Sequence, residues 1–281
     1  MTSLLHADGL TFRVRERALV EAASLAVEPG ELIVIVGPNG AGKTTLLKLL
    51  TGEIRPDGGV ARLDGVDIHA MPAWSLAARR AVMAQAARLA FPFTLAEVVR
   101  LGIDSVGRLL PPARRRAIVE EALAAADVGA LAGRLYQTLS GGEQQRAQFA
   151  RALAQLEAGR TTSQRQVLFL DEPVASLDLN HQLALMQAAA REAARGAAVI
   201  AVLHDLNLAA TFAHRLVVMS SARLVADGPP RSVLTRALVS GIFKVDLPLS
   251  EPPSSGAPYI LPQNYAPGRV GAAPGIAASG R

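Results

Sequence analysis

Gly37-Pro38-Asn39-Gly40-Ala41-Gly42-Lys43-Thr44 decides how this chain is read. The stretch fits the spacing G-x-x-x-x-G-K-[ST]. Just ahead of it, residues 32–36 (LIVIV) form a β-branched run, the pattern of a strand buried on both faces. Just behind it, residues 43–50 have helical character. A glycine-rich loop between a buried strand and a helix is a phosphate cradle. Its glycines let the backbone wrap an anion with N–H groups pointing inward, and the helix N-terminus adds the positive end of a dipole. In such a cradle, formed here by Gly37, Pro38, Asn39, Gly40, Ala41 and Gly42, Lys43 reaches the β- and γ-phosphates. Thr44 offers a hydroxyl to Mg²⁺, and Thr45 adds a further phosphate contact.

Working outward, a second apolar strand at 167–170 delivers Asp171 to its C-terminal end, where ligands of open α/β sheets bind. Asp171 is suited to hold Mg²⁺ through its water shell. The adjacent Glu172 is suited to polarise an attacking water as general base. Further buried-strand runs lie at 199–203, ending at His204, and at 216–219. Before the cradle, residues 10–14 and 18–27 alternate loosely. Turns are expected at Glu28-Pro29-Gly30 and Pro56-Asp57-Gly58-Gly59, and Asp64-Gly65 is expected to close a hairpin.

From about residue 86 the pattern becomes helical. Thr94 with Glu97, and Ser140 with Glu143, have the spacing of capping boxes. A helix is expected over 114–126, just after Pro111-Pro112, and another over 144–156. The polar stretch 158–166 reads as a loop. The order is therefore αβ, then helices, then αβ again, a parallel-sheet core interrupted by a helical insertion at about 87–162. From about Pro248 the chain is rich in Pro, Gly, Ser and Ala. A short strand is expected at 259–261 and disorder beyond Gln263.

Composition narrows the chemistry. At 281 residues the chain has room for one or two domains. Half of it is apolar, much of that alanine, and no run approaches the roughly 20 residues needed to span a bilayer. No signal-peptide pattern is visible at the N-terminus. There are no cysteines, which excludes disulfides, thiolate metal sites and a cysteine nucleophile. The net charge is +5, and almost all the positive charge is arginine, lysine occurring only at Lys43, Lys48 and Lys244. That balance suits nucleic acid, an anionic membrane surface or phosphate ligands, and composition does not choose among them.

The choice comes from Leu139-Ser140-Gly141-Gly142-Glu143-Gln144-Gln145-Arg146, lying between the two nucleotide motifs. With that segment the chain resembles the ATP-hydrolysing subunits of ATP-binding-cassette (ABC) transporters over about residues 4–245. The resemblance implies a P-loop NTPase (RecA-like) α/β core, an antiparallel β subdomain and an inserted α-helical signature subdomain. The cassette would occupy residues 1–247 and a C-terminal extension residues 248–281. ATP and Mg²⁺ are the implied cofactors. Gln85 matches the family's Q-loop glutamine, near Mg²⁺. Ser176-Leu177-Asp178 matches the loop that crosses the dimer interface, and His204 matches the histidine that contacts the γ-phosphate. Val14 occupies the place of the usual adenine-stacking aromatic, with Phe12 two residues earlier on the same expected strand face. The other histidines, His6, His69, His181 and His214, read as surface or packing residues.

The same resemblance implies a homodimer with ATP sandwiched between the cradle of one subunit and Ser140, Gly141, Gly142 and Glu143 of the other. It also implies two transmembrane permease subunits, and a position at the cytoplasmic face of the inner membrane. Within the family, three segments are similar to the importers of iron-siderophores, haem and vitamin B12. These are Leu89-Ala90-Phe91-Pro92-Phe93-Thr94, Tyr136-Gln137-Thr138-Leu139 and Leu203-His204-Asp205-Leu206-Asn207-Leu208-Ala209-Ala210. The long 157–166 connection, Leu177-Asp178-Leu179-Asn180-His181-Gln182 and the late Gly256-Ala257-Pro258-Tyr259-Ile260-Leu261-Pro262 resemble the haemin importers, whose full system adds a periplasmic haem-binding protein. Siderophore or B12 import is the nearest alternative. A soluble ABC ATPase acting on nucleic acid or ribosomes is the alternative of another class; such proteins usually carry tandem cassettes, this chain has one, and no basic, aromatic-interleaved patch supports it.

Overall fold

The computed structural model describes residues 3–84, 91–245 and Pro262. In chain order it contains β1 (Leu5–Val14), β2 (Arg17–Val27), β3 (Leu32–Val36), α1 (Lys43–Thr51), β4 (Gly58–Leu63), β5 (Val66–Asp67), α2 (Ala73–Arg79) and β6 (Arg80–Met83). Then come α3 (Leu95–Leu101), α4 (Pro112–Ala125), α5 (Gly141–Gly159), β7 (Val167–Asp171), α6 (Leu179–Ala194), β8 (Ala198–Val202), α7 (Leu206–Phe212), β9 (Arg215–Ser220) and β10 (Arg223–Gly228).

The strands form two sheets. One is antiparallel, in the order β2-β1-β4-β5. The other runs β10-β9-β3-β8-β7-β6, parallel throughout except for its edge strand β10. Along β3 every residue is buried, and successive side chains enter different cores. Leu32, Val34 and Val36 join Leu168, Leu170, Val199 and the helices α3 to α6. Ile33 and Ile35 join Phe169, Ile200, Val202, α1 and the antiparallel sheet. Burial on both faces is why these strands read as unbroken apolar runs. β6 and β7 are adjacent and parallel, yet the 95–159 helical segment lies between them in sequence.

Several local expectations are met. The β4–β5 turn is closed by Asp64 (φ 52°) and Gly65 (φ 78°), the paired positive φ of a two-residue hairpin. Thr94 and Ser140 both form complete capping boxes, with Glu97 and Glu143.

Other boundaries differ. The first two strands start earlier than expected, at Leu5 and Arg17. A helix and a strand, α2 and β6, precede the expected onset of helices. The stretch expected as a loop from 158 is helical through Gly159, and Gln166 is buried. The reason is contact with α2. The Gln155 amide donates to the carbonyls of Ala77 and Arg80 at 3.0 Å each, and the Gln166 amide donates to Ala78 O at 3.0 Å. These are carbonyls around a helix end, which need partners from outside the helix. A Cβ on Gly159 would lie 2.2 Å from Ala78 O, so only glycine permits this approach. The expected strand at 259–261 and the tail beyond Gln263 lie outside the described residues.

Three arginines and two glutamates tie together the ends of α4, α5 and α6. Glu157 contacts Arg114 (2.6 Å), Arg195 (2.9 Å) and Arg160 (3.3 Å). Glu192 contacts Arg160 (2.5 Å) and Arg195 (3.0 Å).

Candidate functional site

In the parallel sheet β3, β7 and β8 end at one edge, and the residues of interest follow those ends. The 37–42 loop leaves β3 with Gly37 at φ 153°, Gly40 at 76° and Gly42 at 103°. Two of these glycines are also sterically obligatory. A Cβ on Gly37 would sit 2.1 Å from Met219 O, and one on Gly42 would sit 2.1 Å from Leu19 O. The loop is thus pinned by β9 and β2 while Asn39 and Gly40 stay exposed and Pro38 and Ala41 are partly or fully covered.

Lys43 opens α1 and is only 6 % exposed. Its ammonium donates to Gly37 O (2.8 Å) and Pro38 O (2.9 Å), so it lies across the mouth of its own loop. Burial pulls its pKa down, opposed by the charges of Glu172 and Asp171. Thr44 donates its hydroxyl to Asp171 Oδ1 at 3.2 Å, across 127 residues of sequence. Asp171 is 4 % exposed, and burial pushes its carboxyl above the ordinary range, the Thr44 hydrogen bond pulling the other way. Thr45 lies in the first turn of α1. A cleft of about 340 Å³ opens beside Thr44 and Asp171, lined also by Lys48, Glu53, Val82 and Ala84. Gln85, the next residue along, lies outside the described residues.

Glu172 follows β7 in the left-handed region, with φ 50°. Its N–H donates to Val202 O, and its Oε1 lies 2.7 Å from His204 Nε2. The strand-end carboxylate and strand-end histidine thus face each other across the ends of β7 and β8.

Ser140 caps α5, its hydroxyl accepting from Glu143 N–H. The side chain of Glu143 returns to Ser140 N–H, which holds its carboxyl below the ordinary range. Gly142 packs against the 176–178 loop, where a Cβ would meet Ser176 O at 3.0 Å. Asp178 caps α6 and accepts from His181 N–H and from its ring Nδ1. Signature segment and 176–178 loop therefore meet within one chain. Among the described residues, no hydrogen bond joins residues 140–143 to residues 37–45.

Of the surface or packing histidines, His181 lies between Asp178 and Asp127 (3.7 Å), and His214 Nδ1 accepts from Leu32 N–H at 2.9 Å. Of the two residues near the expected adenine contact, Phe12 packs on the core and Val14 is 51 % exposed.

One further side chain joins the site. Gln145 donates its amide to Glu172 O and accepts from Ser176 N–H. No spacing rule could signal contacts made 27 and 31 residues away.

Comparison with known proteins agrees with this geometry. The family model described as ABC transporter matches residues 20–175. The chain is 48 % identical over 263 residues to a hemin import ATP-binding protein HmuV of Rhodopseudomonas palustris (strain BisB5), covering 94 % of this chain and 98 % of that relative. It is 41 % identical over 261 residues to the protein of the same name from Rhizobium meliloti (strain 1021), covering 93 % and 99 %. Among solved structures, a dimeric ATP-binding cassette in a post-hydrolysis state, bound to ADP and Pi, superposes with a TM-score of 0.70 at 25 % identity, over 81 % of this chain and 99 % of that one. The matched stretch spans the phosphate loop, the strand-end acid pair and the capped helix α5, and the chain belongs to the ABC transporter ATP-binding family.

Proposed function

We propose that this protein is the ATP-hydrolysing subunit of a haemin importer, working as a homodimer beneath two permease subunits at the cytoplasmic face of the inner membrane. The observation that carries the ATPase reading is the convergence of Lys43, Thr44, Asp171, Glu172 and His204 at one sheet edge. The haemin reading is supported by relatives of that name matching over more than nine-tenths of the chain. No helix among the described residues is long and apolar enough to cross a membrane.

The chemistry follows from the chain's own groups. Backbone N–H groups of the 37–42 loop and the start of α1 bind the triphosphate. Lys43 exchanges its carbonyl partners for phosphate oxygens and brings its charge with it. Thr44 and Asp171 offer adjacent hard oxygen donors, the set that suits Mg²⁺, and they would hold it together with Gln85. When bound, that ion neutralises charge on the phosphates. Glu172 takes the proton of the attacking water, and His204 holds the Glu172 carboxylate in place while reaching toward the γ-phosphate. Ser140, with the N-terminus of α5, provides the second anion-binding surface that a partner subunit's ATP would meet. Loss of the γ-phosphate removes these contacts and loosens the dimer, a ligand-biased switch.

Residues 1–247 form the cassette in this reading, with 87–162 inserted and 248–281 as an extension. Val14 contributes at most aliphatic contact to adenine. The cargo never meets this subunit. The remaining machinery, including a periplasmic haem-binding protein, belongs to the partners, and nucleic acid has no part. The test is haem uptake in cells lacking this protein, with siderophore uptake measured alongside. Loss of haem uptake alone is expected. Loss of siderophore uptake with haem uptake intact overturns the haemin assignment.

A further inference from the structure

We propose that Gln145 is a positioning residue for ATP hydrolysis, linking the orientation of α5 to the placement of the Glu172 carboxylate. The proposal rests on the ATPase reading above and deepens it.

The geometry is specific. Gln145 lies on α5, five residues beyond the Ser140 cap. Its Nε2 donates to Glu172 O at 2.7 Å and its Oε1 accepts from Ser176 N–H at 3.0 Å. One amide therefore holds both ends of the turn between Glu172 and Ser176. The other glutamines of α5 do different work. Gln144 donates to Tyr136 O and Leu139 O, Gln148 to the Tyr136 hydroxyl, and Gln155 to the end of α2. Among the described residues, Gln145 is the side chain of α5 that is hydrogen-bonded to the segment carrying the general base.

Glu172 is where such a hold matters. A non-glycine residue at φ 50° persists only when its surroundings fix it, and such residues cluster at functional sites. Its backbone is held by Val202 O on the N–H side and by Gln145 on the carbonyl side. The peptide that Gln145 grips sets the direction of the Glu172 side chain, and so its 2.7 Å approach to His204. A small tilt of α5 draws on that carbonyl directly. The signature segment at the start of the helix and the base are thereby mechanically connected inside one subunit, and a partner that engages Ser140 also governs the base.

The test uses the full-length protein with Gln145→Glu and Gln145→Ala. Glu keeps the length and the acceptor for Ser176 N–H but sets an oxygen against Glu172 O, so it cuts the Glu172 arm specifically. Ala removes both arms without adding charge. Steady-state MgATP hydrolysis, affinity for a fluorescent ATP analogue and the thermal midpoint are measured for each. The expected result is a kcat about tenfold or more below wild type, with KM and analogue affinity held within about twofold. A purely structural role would instead move KM, affinity and thermal midpoint together. Either that pattern or an unchanged kcat in Gln145→Glu overturns the inference. Wild-type protein without MgATP hydrolysis would overturn the ATPase reading itself, which separates the two failures.

Discussion

Glu172→Gln is the sharpest probe of the site. The substitution exchanges one carboxylate oxygen for an amide at almost constant volume. The 2.7 Å contact with His204 survives, because the amide still offers a donor and an acceptor. The backbone bonds to Val202 and Gln145 do not involve the side chain and also survive. What disappears is the proton acceptor. A positioned general base contributes about 10²- to 10⁴-fold, so turnover should fall by that factor, or about 2.7–5.4 kcal/mol in barrier at about 1.36 kcal/mol per decade. Binding moves the other way. Glu172 is one of two carboxylates whose charge acts on Lys43, and removing it lessens repulsion of an incoming triphosphate. The assay pairs phosphate release at saturating MgATP with sizing chromatography in the presence of ATP. The expected result is lost turnover, retained nucleotide binding and an ATP-dependent dimer. Turnover within about threefold of wild type would remove Glu172 from the base role, since no base contributes so little.

Other outcomes follow from the same geometry. Lys43→Ala removes a charge-assisted phosphate contact of about 1.5–3 kcal/mol, so ATP titrations should show affinity weakened by about 10- to 150-fold. Phe169→Ala empties a fully buried site in β7 and should cost about 3–5 kcal/mol in urea unfolding, with the wild-type slope retained. Glu97 and Glu143 are held below the ordinary carboxylate range by the backbone N–H groups and hydroxyls of Thr94 and Ser140. Their folded pKa values are depressed, so their contribution is present above the unfolded value, about 4.3, and is lost as pH falls through the folded values. The thermal midpoint should fall on that acid limb, and Glu97→Gln with Glu143→Gln should flatten it. Asp171 has the opposite sign. Burial raises its pKa, so its ionisation lowers stability as pH rises, and Asp171→Asn should raise the midpoint of the nucleotide-free protein at neutral pH.

Much of this could be read before any coordinates. The 37–44 loop announces itself because glycine is the residue that tolerates its φ values and its approach to Met219 and Leu19. Asp64-Gly65 and the two capping boxes are equally local, each written within four residues. The failures are non-local or lack punctuation. Residues 73–83 run from α2 into β6 without a glycine or proline, because glutamine side chains from α5 and from Gln166 satisfy the carbonyls there. Gln166 looks like a loop residue for the same reason, its partners being 88 and 10 residues away. The pairing of Thr44 with Asp171 was implied by motif logic, but the hold of Gln145 on Glu172 was implied by nothing in the sequence. The register shifts beside Phe12 come from extra residues on β2, such as Leu19, which alternation along β1 does not reveal.

The cluster of arginines around Glu157 and Glu192 gives α5 an anchored end. Glu157 lies in the last turn of that helix, while Ser140 caps its first. At 1.5 Å per residue the 19-residue helix is about 28 Å long. With the arginine end fixed, a tilt of about 10° would carry Ser140 through about 5 Å, the scale of one helical turn. Gln145, nearer the free end, would travel most of that distance. The helix is then a lever whose fulcrum is electrostatic, and because Arg160, Glu157 and Glu192 are largely covered, added salt should loosen that fulcrum little.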